Sequence, residues 1–288
     1  SCSATGDWSG TYGTSGTEAI NISTFGTKNF ILTCEGPGGS NNESVSASLN
    51  SDPLYSYQWH LKNTGQTNFA SLSEGTFDLN IEDVISSGIT GLGTIIAIVD
   101  TGLEITHEDL SANVVAGKSY DYSDQDNNPE PINSLGDHGT SIAGLTSAVG
   151  GNNIGVRGVA PNSKVVGFNL IGGSNNTTSN MIDALGGASG GAETGEIDIF
   201  NMSFGSNMDR FFPSPLNASF EAAFKNGVDN LRGGKGAIYV TSAGNQWSFK
   251  ENSNLYFCGP NYGVNNIAEG FPCWDASFDT KLTVPYVI

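Results

Sequence analysis

The sequence predicts an α/β fold: a mostly parallel sheet covered on both faces by helices, in three layers, with a small β-rich segment in front of it. Three observations predict it. Short continuous apolar runs alternate with helix-length segments from about Leu79 onward. These runs lack the apolar–polar alternation of a half-exposed sheet, as expected of strands buried on both faces. Residues 1–50 differ from the rest, being rich in Gly, Ser and Thr with short alternating stretches.

The elements follow in order. Within 1–50, Ala19–Ile22 and Asn29–Cys34 read as strands, Gly36-Pro37-Gly38-Gly39 as a turn and Ser44–Leu49 as an edge strand. A second domain is expected over 51–288. It opens on the aromatic stretch Asp52–Leu61, followed by a short helix around Leu79–Ser86. Strands are expected at Thr94–Val99, Lys164–Asn169, Ile197–Met202, Ala237–Thr241 and Leu282–Ile288. Helices are expected at His138–Val149, Ser179–Leu185 and Leu216–Leu231, the last with Leu216, Phe220, Phe224 and Leu231 near one face. This βαβα alternation calls for a parallel sheet with right-handed crossovers. The sheet reads as incomplete at its C-terminal end, where Leu282–Ile288 is followed by no further element. Residues 246–281 form a long connection carrying Trp247, Tyr256, Phe257 and Trp274, which suits an ordered excursion at the rim of a cleft.

Composition narrows the function. Asp and Glu number 29 against 11 Lys and Arg, for a formal charge of −18. Such a surface repels nucleic acid and anionic membranes and attracts cationic peptides or metal cations, although solubility alone explains it equally well. No apolar run approaches the length of a membrane span, so no membrane insertion is expected. The cysteines fall in two pairs, Cys2/Cys34 and Cys258/Cys273, without Cys-x-x-Cys spacing or a neighbouring His. Two local disulfides in an oxidising compartment is the preferred reading, with free buried thiols as the alternative. A secreted, bacterial-type protein is expected.

Two stretches carry chemistry. The apolar run Thr94–Val99 ends in Asp100-Thr101-Gly102, and Asp137-His138-Gly139-Thr140 opens a helix. A strand-end carboxylate followed by a helix-start imidazole provides two parts of an Asp…His…Ser triad. Asp100 would orient His138, and His138 would act as general base and acid. Either residue alone is commonly a turn or cap residue; the pairing in this context is what points to catalysis.

Ile98-Val-Asp100-Thr-Gly102, Asp137-His138-Gly139-Thr140-Ser-Ile-Ala-Gly144, Gly158-Val-Ala-Pro161, Asn201-Met-Ser-Phe-Gly205 and Ser242-Ala-Gly-Asn245 resemble successive signature segments of the subtilisin-like serine proteases, the subtilases. The likeness runs from about Asp52 to Ile288. Asp52-Pro53, Gln58-Trp59 and the Asp121–Asn128 loop are most similar to the kexin/furin-like branch and its bacterial relatives. Residues 1–50 resemble part of a bacterial Ig-like repeat, in Cys2–Gly10 and Leu32–Gly39. The resemblance implies a secreted, calcium-dependent endopeptidase that cleaves polypeptides by acyl transfer. Asn245 would donate to the oxyanion hole. Ser203, Phe204 and Gly205 would wall the S1 pocket, with Phe168, Leu170 and Gly172 on the opposite substrate edge. One Ca2+ would be held by Asp52, Asp109, the Asn152 side chain and the carbonyls of Val149, Ile154 and Val156. A second would be held by Asp121, Asp126 and Asn128, in a loop that also carries Asp124 and Glu130 but departs from the EF-hand pattern.

The family's nucleophile lies in a Gly-Thr-Ser motif at the start of a later helix, and no such motif follows Asn245 here. Gly139-Thr140-Ser141 imitates it, but Ser141 is one turn from His138 on the same helix. The expectation is therefore a chain inactive alone, partnered by the rest of the same enzyme. Two other readings stand: a catalytically dead subtilase fold used for binding or adhesion, and a calcium-dependent carbohydrate-binding protein. For specificity, acidity near the cleft, with Asp209 one contributor, would favour basic P1 residues. His60 and His107 read as structural.

Overall fold

The computed structural model describes residues 1–20, 22, 26–49, 52–68, 77–131, 137–187, 192–204 and 218–242. The chain divides into two compact units. One comprises Ser1–Leu92 with Gly144–Asn162, the other Gly93–Ala143 with Ser163–Ile288.

The first unit opens with an antiparallel sheet of β1 (Cys2–Gly6), β2 (Gly10–Tyr12), β3 (Gly26–Gly36) and β4 (Gly39–Leu49) in the order β2-β1-β3-β4. Pro37-Gly38 turns β3 into β4, and β4 lies at the edge as its alternation predicts. Cys2 and Cys34 face each other in register and form a disulfide. Buried Ala4 and Phe30 share that region, and Trp8 stacks on Tyr12 at 5.2 Å and meets Phe30 edge-on at 6.2 Å. β1 and β2 have too few apolar residues to announce themselves; pairing of β1 with β3, and of β2 with β1, makes them strands. Ala19 and Ile20, by contrast, form no strand.

The rest of this unit contains a 3-10 turn at Tyr55–Tyr57 and α1 (Glu82–Ser86). α1 starts later than Leu79 because Asn80 takes a left-handed φ of 52° and donates its amide to Asp78 Oδ1 at 2.7 Å.

Among the described residues the second unit holds a parallel sheet of five strands. Its strands are β5 (Ile95–Asp100), β6 (Tyr120–Asp121), β7 (Lys164–Asn169), β8 (Ile199–Met202) and β9 (Ile238–Thr241), in the order β6-β7-β5-β8-β9. The helices are α2 (Asp137–Ser147), which begins in this unit and ends in the other, α3 (Thr178–Ala184) and α4 (Ala218–Gly234). Thr177 caps α3 through its hydroxyl oxygen, which accepts from Asn180 N at 3.2 Å. Ala97, Val99, Val166, Phe168, Phe200, Met202, Phe224 and Tyr239 make the core. Tyr239 stacks on Phe200 at 4.9 Å and meets Phe224 edge-on at 5.0 Å. The expected strand Leu282–Ile288 and the connection 246–281 lie outside the described residues. Among those residues, no helix is long and apolar enough to cross a membrane.

From β5 the chain moves to β6 and β7 on one side, then to β8 and β9 on the other. The carboxyl end of β5 is therefore the topological switch point, where a crevice opens in sheets of this kind.

Candidate active site

Asp100 is the last residue of β5 and is wholly buried. His138 is the second residue of α2, with its side chain half exposed. The His138 Nδ1 lies 2.8 Å from Asp100 Oδ1. A carboxylate only accepts, so Nδ1 carries the proton and Nε2 is left bare as a base. Asp100 Oδ1 also accepts from Thr101 N at 2.7 Å, which fixes the carboxylate plane.

The local sequence explains the close approach. The Gly139 amide donates to Thr101 Oγ1 at 3.2 Å, and Glu104 N donates to Thr140 Oγ1 at 2.9 Å. These bonds hold the first turn of α2 against the turn after β5. A side chain at Gly139 would collide with that turn: its Cβ would lie 2.1 Å from Gly102 O. Gly102 in turn has φ +121°, a region only glycine adopts freely.

The expected substrate edges also gather at the carboxyl ends of strands. Ser203 and Phe204 follow β8; the Ser203 hydroxyl oxygen accepts from Asn201 Nδ2 at 2.9 Å, and Phe204 packs partly against the core. Phe168 and Leu170 are fully buried, and the Phe168 backbone pairs with both β5 and β6. These two positions thus build the core, leaving Ile171 to Gly173 as the accessible edge. That segment hangs on β5, because Asp100 O accepts from Leu170 N at 2.9 Å and Ile171 N at 3.1 Å. Gly205, Asn245, Asp209, Cys258 and Cys273 lie outside the described residues.

A Subtilase family model matches residues 91–264. The chain belongs to the subtilase family. Human neuroendocrine convertase 2 is 36% identical over 206 residues, which is 69% of this chain and 30% of that relative. The serine protease of Aeromonas sobria has a TM-score of 0.60 at 32% identity, covering 68% of this chain and 32% of its own. A protease from Pseudoalteromonas arctica gives 0.52 at 27%, covering 69% and 60%. This subtilase chain thus spans about a third of the length of the curated relatives it matches.

The expected calcium ligands are distributed as follows. In the first unit both oxygens of buried Asp52 accept from Gly151 N at 2.9 Å, and Oδ1 accepts from Asn152 N at 3.1 Å. Asn152 Oδ1 accepts from Ile154 N at 2.8 Å, so the Val149–Val156 loop folds around Asp52. Asp109 is buried in the second unit. In that unit Asp121 Oδ1 accepts from Ser123 N at 2.6 Å and Asp124 N at 3.1 Å, while Asp126 Oδ1 accepts from Asn128 N at 2.9 Å. Among the described residues no three His, Cys, Asp or Glu side chains converge on a metal-sized point.

Thr101 and Asn169 stand out only in three dimensions. Buried Asn169 donates to Asp121 Oδ2 at 2.6 Å and accepts from Gly172 N at 3.2 Å, tying the acidic loop to the segment after β7.

Proposed function

We propose that this subtilase domain is the Asp/His-bearing part of a secreted, calcium-dependent serine endopeptidase acting on polypeptides. The reading rests on one observation above all: the 2.8 Å contact between Asp100 and His138 at the switch point of the sheet. With Nδ1 held by Asp100, the bare Nε2 of His138 takes the proton of a serine hydroxyl as it attacks the scissile carbonyl. The imidazolium then protonates the leaving amine. The Asn245 amide would stabilise the tetrahedral oxyanion, a contribution of about 3–4 kcal/mol to the barrier. The serine would come from a segment bearing the family's Gly-Thr-Ser motif. Ser141 is unsuited, since it sits on the helix of His138 itself.

Calcium fits the oxygen-rich surroundings of Asp52 and of Asp121. Asp52 Oδ2 and Asp121 Oδ2 each accept from one amide, of Gly151 and of Asn169, and keep a second lone pair for a cation. Bound there, the ion would supply structural cross-linking. Asp52, Asn152 and the carbonyls of Val149, Ile154 and Val156 would hold one ion; Asp121, Asp126 and Asn128 would hold the other.

The test compares residues 1–288 with a longer chain carrying the Gly-Thr-Ser motif, using a serine-directed fluorophosphonate and peptide hydrolysis. The expected result is labelling and hydrolysis only in the longer chain, both lost in its His138→Ala variant. A longer chain that folds but neither labels nor cleaves would favour a binding or adhesion module instead.

A further inference from the structure

Arg157 lies in the first unit and is 6% exposed, yet no carboxylate pairs with it among the described residues. Its Nε is buried with no hydrogen-bond partner. Its backbone is held from both sides by buried Gln58: Gln58 Nε2 donates to Arg157 O and Arg157 N donates to Gln58 Oε1, both at 2.8 Å. The clamp comes from 99 residues away in sequence, so the position of this arginine is built, not incidental. The guanidinium borders a cavity of about 270 Å³, also lined by Tyr55, Glu82, Thr90, Gly150 and Asn162. Position 150 must be glycine for this, since a Cβ there would lie 3.1 Å from Arg157 Nη1 and 2.8 Å from Pro161 Cβ.

A buried cation without a counter-charge is costly, and a rigid guanidinium fork matches the planar or tetrahedral oxygens of a small anion. The other charge on the wall, Glu82, is engaged by Lys62 and is largely exposed. In a chain of net charge −18, a buried arginine with no carboxylate partner among the described residues is an exception that invites an occupant. We propose that this cavity is a binding site for a small oxyanion, a carboxylate or a phosphate, held by Arg157. It lies within one compact unit and does not depend on the catalytic reading.

The test is thermal denaturation of the purified full chain at constant ionic strength, titrated separately with acetate and inorganic phosphate. The expected result is a saturable rise of about 2–4 °C in one arm, which names the oxyanion class. Arg157→Lys keeps the charge but loses the fork, and should weaken binding about tenfold. Glu82→Gln removes a like charge from the wall and should tighten it about threefold. Arg157→Gln, where it folds, should abolish the response. No saturable rise in either arm, or a rise that Arg157→Lys leaves unchanged, would overturn the site; so would weaker binding in Glu82→Gln.

Discussion

A methyl group at position 139 would sit 2.1 Å from the carbonyl oxygen of Gly102 and 3.0 Å from Cβ of Asp100. Gly139→Ala must therefore push the first turn of α2 outward and carry His138 with it. A displacement near 1 Å at a proton-transfer pair costs about 100-fold in rate. In an active enzyme containing this domain, Gly139→Ala should lower kcat by about that factor with KM little changed; steady-state kinetics on a peptide substrate checks it. His60 offers a second residue-level prediction. Its Nε2 is buried without a partner, and burial holds its pKa below the ordinary value of about 6.5. The unfolded chain then binds more protons than the folded one below that pH, so stability is complete above about pH 7 and falls as pH drops through 6.5. Urea midpoints for wild type and His60→Asn, compared between pH 7.5 and 5, should show the wild-type advantage shrinking as pH falls. A constant difference would mean His60 is neutral in its site without cost. Asp100 and His138 were legible because each sits in a short telling run of its own, Asp100-Thr101-Gly102 after an apolar strand and Asp137-His138-Gly139-Thr140 at a helix start. The buried Tyr122–Asp183 hydrogen bond of 2.9 Å was not, since 61 residues separate its partners.

Helix α4 shows how an element is shaped by what it meets. It is regular to Asn230, then Leu231, Arg232 and Gly233 leave helical geometry. Arg232, at φ 57°, pairs through Nε with Asp198 Oδ1 at 2.5 Å, while Asp198 Oδ2 accepts from Ile95 N at 2.7 Å. One carboxylate thus anchors the end of α4 to the start of β5. Phe220, Phe224 and Leu231 face the core as their spacing predicts; the stop at Asn230 depends on Asp198, which no local pattern reveals. Gly227 is where α4 crosses Tyr239: a Cβ there would lie 1.6 Å from the phenol oxygen. That hydroxyl donates to Leu185 O at 2.7 Å. Gly227→Ala should cost about 2–3 kcal/mol through overpacking, and Tyr239→Phe about 1 kcal/mol through the lost hydrogen bond. Because the phenol oxygen is the colliding atom, Tyr239→Phe should rescue part of Gly227→Ala. A urea double-mutant cycle measures this, and additive losses would refute the contact. The signature Gly158-Val-Ala-Pro161 has a similar origin. The amides of Gly158, Val159 and Ala160 satisfy Ala148 O at 3.0 Å, Leu145 O at 3.0 Å and Thr146 O at 2.8 Å at the end of α2. A Cβ at Gly158 would lie 2.6 Å from Ala148 N, so that helix end tolerates nothing larger.

At the scale of the whole chain, the acidic balance and the two oxygen-lined loops bear on the same measurement. A charge of −18 repels itself, so any added salt stabilises the folded state by screening. A specific calcium site behaves differently: it saturates, and it depends on named ligands. The Asp121 loop is the sharper case, because Asn169 links it to Gly172 in the segment after β7. Calcium at sub-millimolar concentration should raise the melting temperature beyond sodium chloride or magnesium at matched ionic strength, by about 4–5 °C for an ion present at a hundred times its Kd. Chelator should reverse the rise. Asp121→Asn removes the charge and keeps only one of the two acceptor oxygens, so it should reduce the calcium increment and leave the sodium increment intact. A melt indifferent to chelator, or an increment that magnesium reproduces in full, would assign the acidic surface to solubility alone.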